Sequence, residues 1–140
     1  MKQWRVVSGE WREGKNMNTQ GKLKSDKDLL VWQKSMALVK DIYRLTRSFP
    51  QDEPFGLVSQ LRRAAVSVPS NIAAGQSRHT SGEFVQFLSH AEGSLAELET
   101  QILIVVDLDF SKEEANQALA PIEELQRMVN SLRQKLATRH

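Results

Sequence analysis

The chain has 140 residues, 40% hydrophobic and 26% charged, the size and composition of one globular domain that buries its core without a metal or disulfides. It contains no cysteine, which excludes a disulfide framework, a thiolate zinc site and a cysteine nucleophile and suits a reducing cytoplasm. The longest apolar run, Ile102 to Val106, is far below the ~20 residues of a membrane span, and the start lacks the apolar stretch of a signal peptide, so neither membrane insertion nor export is expected.

The formal net charge is +2 and the pI about 9.0, but the charge is unevenly placed. Residues 1–26 carry +3, residues 27–78 carry +4, residues 79–126 carry −9 and residues 127–140 carry +4. The basic pI therefore comes from the ends. This argues against a protein that coats duplexes through overall charge, leaves room for a local basic patch, and favours association between unlike faces of adjacent subunits.

Residues 1–25 mix Gly, Asn and Lys with Trp4 and Trp11 and sustain no period of 2 or 3.6. They read as a flexible tail, with Met17 an alternative start; the competing reading is a short docked arm, because Trp4, Val6, Val7 and Trp11 are costly to leave in water. Residues 26–140 read as a domain of four amphipathic helices. The first stripe is Leu29, Trp32, Met36, Val39 and Tyr43. Pro50 stops that helix, and Asp52, Glu53 and Pro54 open the next. The second stripe is Val58, Leu61, Ala65, Val68 and Ile72, with Pro69 a kink inside one helix.

A turn from Gly75 to His79 leads to Thr80, which forms a capping box with Glu83. The third stripe, Phe84, Leu88, Ala91, Leu95, Leu98, Ile102 and Val105, is the longest unbroken one. Asp107 to Phe110 end the helix, and Ser111 with Glu114 is a second expected capping box. The last stripe is Ala115, Ala118, Ile122, Leu125, Val129, Leu132 and Leu136, with Pro121 a kink or break. No strand pattern competes, and short connections predict an all-α, up-down-up-down antiparallel four-helix bundle.

Catalytic chemistry is not legible. A di-iron bundle needs Glu-x-x-His on two helices, but Gln76 stands three residues before His79 and Phe87 three before His90. No metal, cofactor or nucleotide loop is indicated. Glu92 and Glu99, seven apart, could be an acid/base pair but read more simply as solvated or ion-paired groups. The expectation is a protein that is not an enzyme.

The second helix departs from a plain amphipathic pattern. Ser59, Arg63, Ser67, Ser70 and Ala74 fall opposite its core stripe, and Ser89, Gly93 and Thr100 beside Ile104 do the same on the third helix. Small residues where long polar ones are usual suggest a subunit interface at Ser59, Ser67, Ser70, Ala74 and Gly93. Apolar residues outside the core stripes, Val31, Leu38, Ile42 and Leu45 among them, add to that reading. Arg62, Arg63 and Arg78 are the candidate phosphate contacts.

The runs Asp28-Leu29-Leu30-Val31-Trp32-Gln33-Lys34, Phe49-Pro50, Ser59-Gln60-Leu61-Arg62-Arg63-Ala64-Ala65, Pro69 to Gly75 and Gly93 to Thr100 together resemble the four-helix-bundle proteins encoded in 23S rRNA intervening sequences. The resemblance spans roughly residues 26–137. It implies a homopentameric ring without known catalysis, and a related branch, the accessory variability proteins of diversity-generating retroelements, is pentameric and binds nucleic acid and a reverse transcriptase. Two positions depart from the family's pattern: Ala74 stands where Asn-Ile-Ala-Glu-Gly has its acid, and Glu92 where Ala-Arg-Gly-Ser has its base. Two functions follow. One is an RNA- or DNA-binding accessory protein whose arginines repeat around a ring; the other is a protein-binding adaptor or structural ring whose arginines pair with acids such as Glu97 or Glu99.

Overall fold

The computed structural model describes residues 4–7, 10–13, 26–50, 56–109 and 111–138. Two short strands, β1 (Trp4–Val7) and β2 (Glu10–Glu13), precede four helices: α1 (Asp26–Thr46), α2 (Leu57–Gln76), α3 (Ser81–Asp107) and α4 (Lys112–Ala137). Trp4 pairs with Glu13 and Val7 with Glu10, an antiparallel ribbon inside the segment the sequence leaves without an element. Four-residue strands are too short to show a period, which is why alternation did not reveal them. The remaining residues of that segment, Met17 included, lie outside the described residues.

The helices pack α1 on α2, α2 on α3, α3 on α4 and α4 back on α1, a closed square. Side-chain bonds show that each neighbouring pair runs antiparallel. Gln60 meets Gln101 and Ser67 meets Ser94 across α2 and α3: seven residues forward on one helix match seven back on the other. Between α1 and α2, Thr46 meets Arg62 at one end and the Asp28 carbonyl meets Gln76 at the other. Lys34 to Glu124 and Ser48 to Ser111 tie α1 to α4 in the same sense. The fold is the expected up-down-up-down bundle.

All seven residues of the α3 stripe are buried, together with Gln101. On α4 the expected stripe is buried save Leu132, which is half-buried, and on α2 save Val58. Helix α1 is different. Its buried face is Val31, Ser35, Leu38, Ile42 and Leu45, whereas Leu29, Trp32, Met36, Val39 and Tyr43 are only half-buried. The expected stripe is one helical position off. The two stripes lie about 100° apart, and the true one contains a serine; the Ser35 hydroxyl donates to the Trp32 carbonyl at 2.7 Å, so burying it leaves no open donor. Val31, Leu38, Ile42 and Leu45 thus belong to the core and lend no weight to an interface.

Both internal prolines sit within continuous helices, Pro69 in α2 and Pro121 in α4, so Pro121 does not break the last helix. Gly75 is part of α2 rather than of the turn. A Cβ there would lie 2.7 Å from Phe84 Cδ1 and 3.0 Å from Phe87 Cβ, so close approach to α3 demands the glycine.

Thr80 caps α3 as expected: its hydroxyl accepts the Glu83 N–H at 3.1 Å and donates to the Glu83 carboxylate at 3.0 Å. Ser111 does not cap α4 with its side chain. Its backbone is left-handed (φ 52°), and its hydroxyl instead bonds that of Ser48 at 2.8 Å. The N-cap of α2 is Gly56, also left-handed (φ 63°), a conformation that suits glycine; Asp52, Glu53 and Pro54 lie outside the described residues.

Among the described residues one buried side-chain polar atom has no partner, Gln101 Oε1. Its amide nitrogen reaches Gln60 Oε1 only at 3.5 Å.

Candidate nucleic-acid interface

The C-terminal end of α1 and the N-terminal end of α2 meet at one end of the bundle, and between them runs an open groove of about 940 Å³. Tyr43, Thr46 and Arg47 line it from α1 and its end, and Ser59, Arg62, Arg63 and Val66 from α2. No Asp or Glu is among its described lining residues.

Arg62 is held in place. Its Nε donates to Thr46 Oγ1 at 2.8 Å, and that hydroxyl donates onward to the Ile42 carbonyl at 2.8 Å. The guanidinium carbon lies 4.5 Å from the centre of the Tyr43 ring, a cation–π stack. Part of this arrangement is structural, because the arginine sits over the carbonyl end of α1, where a positive charge is favoured by the helix dipole. Arg47 and Arg63 are exposed on either side.

Arg78 does not join them. It lies past the end of α2, fifteen residues beyond Arg63, about 22 Å at ~1.5 Å rise per residue, with its guanidinium 4.5 Å from the Phe87 ring centre. The sequence pattern marks neither Arg47 nor Tyr43 as a groove residue, Tyr43 standing there only in the apolar stripe of α1. The available signal was the clustering of Arg44, Arg47, Arg62 and Arg63 on both sides of the α1–α2 connection, which stays hidden while each helix is read separately.

The small-residue stripe divides in two. Ser59 and Ser70 are exposed, Ala74 is half-buried, and Gly93 is exposed, with nothing within 4 Å of a Cβ placed there. Ser67, by contrast, turns into the α2–α3 seam. Asn71 Nδ2 donates to Ser67 Oγ at 3.0 Å, the Ser67 and Ser94 hydroxyls are 2.7 Å apart, and Ser94 donates to the His90 carbonyl at 3.2 Å. Val66 and Ile104 are exposed apolar residues flanking these outer faces.

Glu92 and Glu99 do not act as a matched pair. The Glu92 carboxylate accepts from Asn130 Nδ2 at 2.9 Å and from Arg133 Nε, which locks α3 to α4. His79 and His90 are exposed, the latter in an edge contact with Phe87. Among the described residues no group of three or more His, Asp or Glu could hold a metal, and no helix is long and apolar enough to cross a membrane.

The fold and the groove define an all-α bundle with a basic cleft at one end. Residues 27–131 match the family described as 23S rRNA-intervening sequence protein, and the chain belongs to that family. A solved structure from Bacteroides thetaiotaomicron, a protein of unknown function from the S23 ribosomal protein family, is 18% identical; the match covers 77% of this chain and 98% of that one, with a TM-score of 0.70. At that identity it speaks for the fold. None of the curated proteins matches.

Proposed function

We propose that this protein is a non-catalytic, self-associating accessory protein that binds RNA through the α1–α2 groove. The observation that carries the reading is the convergence of Arg47, Arg62 and Arg63 on one open groove without an acid among its described lining residues. Phosphate neutralisation by Lys and Arg supplies most sequence-independent affinity for nucleic acid, and copies in an assembly multiply it through effective concentration. The family's description names an intervening sequence of 23S rRNA, a genomic setting that favours a nucleic-acid partner over a purely structural role. A cytoplasmic setting accords with a chain that lacks cysteine.

Self-association is supported by the outward small residues Ser70, Ala74 and Gly93 beside exposed Ile104, whereas Ser59 and Val66 line the groove. The basic residues 27–78 and the acidic residues 79–126 favour a heterologous contact, which closes into a ring when the rotation per subunit divides a full turn; the resemblance points to five subunits. Sedimentation of wild type and Ser70→Glu tests this part. The expected result is an oligomer that dissociates in the variant with helix content unchanged. A monomeric wild type, or an unaltered variant, refutes the placement. Ser70 is the clean probe, because Ser67→Glu also disturbs the seam with Ser94.

The adaptor reading is favoured by the strongly acidic 79–126 segment, whose Glu97 and Glu99 could meet a neighbour's arginines. A retardation assay on mixed RNA separates the two, with binding at low salt expected and its absence excluding the RNA reading.

A further inference from the structure

We infer that the groove takes an unpaired nucleotide: a base of single-stranded RNA stacks on the Arg62–Tyr43 wall while Arg47 and Arg63 hold the flanking phosphates. The inference rests on the RNA-binding reading and names the form of RNA. Arg62 and Tyr43 both line the groove, so their stack is part of its wall. Unpaired bases stack on aromatic rings and on arginine planes.

In a duplex those base faces are already covered by neighbouring bases, so the wall offers a paired strand nothing. A duplex would meet only the exposed arginines at the rim. The volume of about 940 Å³ lies within the ~300–1,000 Å³ common for ligand sites, ample for one nucleotide. Val58 and Val66 add apolar surface to the lining.

Pre-organisation supports the same occupant. The Thr46 bond at 2.8 Å and the ring at 4.5 Å fix the Arg62 plane before any ligand arrives, so stacking costs little side-chain freedom. Arg47 and Arg63 are exposed and make no ion pair among the described residues, so they remain adaptable for phosphates. The Arg78–Phe87 stack at the other end of α2 has a single arginine and lines none of the described cavities.

The test compares a labelled RNA of about 12 nucleotides with its perfect duplex by fluorescence anisotropy, using the full chain at about 50 mM salt. The single strand is expected to bind about tenfold more tightly, the size of one base-stacking contact. Tyr43→Ala should collapse that preference, Tyr43→Phe, which keeps the ring, should restore most of it, and Arg63→Gln should reduce the single-strand salt slope by about 0.7. Should Tyr43→Ala lose its helical circular dichroism, the Arg47→Gln and Arg63→Gln pair, both at exposed positions, decides the location instead.

Equal or tighter duplex binding overturns the inference and leaves the RNA reading standing. A preference that survives both Tyr43→Ala and Arg63→Gln places the site elsewhere and overturns it too. No binding of either RNA defeats the inference and the RNA reading together.

Discussion

Truncating Leu98 probes the centre of the bundle. The side chain is 0% exposed and lies in the unbroken α3 stripe, so Leu98→Ala removes apolar atoms worth about 2.4 kcal/mol at ~0.8 kcal/mol per methylene. Whatever cavity fails to close adds ~24 cal/mol per Å³, carrying the cost to about 3–4 kcal/mol. Helices packed on both sides of α3 leave little room for collapse, so the upper part of that range is expected. For a domain of this size the loss corresponds to a fall in Tm of about 10–20 °C. Urea unfolding followed by circular dichroism, at one fixed protein concentration so that any linked association equilibrium is held constant, measures it. Leu95→Ala should behave alike, and Leu103→Ala, with its side chain 47% exposed, should change stability by about 0.5 kcal/mol or less. Losses under about 1 kcal/mol at both Leu95 and Leu98 would refute the burial of this face.

On α1, Ile42→Ala should cost about 2–4 kcal/mol and Met36→Ala clearly less; the reverse order in urea unfolding would restore the other stripe as the core face. Gln101→Met should raise stability by about 1 kcal/mol, because it removes a buried acceptor left without a partner, and a loss of similar size would mean that Oε1 is satisfied in solution. Glu92→Ala should lower stability by about 1–2 kcal/mol by stranding Asn130 and Arg133, with a neutral result contradicting the α3–α4 lock. The hydrogen bond from Lys34 holds the Glu124 carboxyl below its usual value of 4.5. A carboxyl depressed in the folded state contributes stability that is present above its unfolded value and lost as pH falls through the folded one. The difference in urea midpoint between wild type and Lys34→Met should therefore shrink as pH drops below 4.5, and a pH-independent difference would show that the pair contributes nothing.

The sequence revealed the bundle because burial on α3 coincides with an unbroken 3.6-residue period, and α2 and α4 follow it nearly as well. It misplaced the α1 face for a definite reason. Trp32, Met36 and Tyr43 are large, apolar in part and correctly spaced, while the buried stripe is interrupted by Ser35, whose compatibility with the core depends on a bond to Trp32 that no spacing rule shows. Capping was legible at Thr80, where backbone and side chain agree, and not at Ser111, where the left-handed backbone sends the hydroxyl to Ser48. The groove was half legible. Arg62 and Arg63 stand out as a local pair, but Tyr43 and Arg47 come from another helix and join them only through the antiparallel turn. Arg78 shares their chemistry without their location, since charge alone does not report distance along a helix.

The most direct test of the central claim is the salt dependence of RNA binding by the wild type and by the double variant Arg47→Gln, Arg63→Gln. Single-strand affinity should fall on a log–log plot with a slope near −0.7 for each phosphate neutralised. Removal of two groove cations should make that slope shallower by about 1.4 per subunit engaged, with circular dichroism and sedimentation unchanged. An unchanged slope and affinity in the double variant, or a wild type that binds no RNA at about 50 mM salt, would contradict the assignment of the α1–α2 groove as an RNA-binding surface.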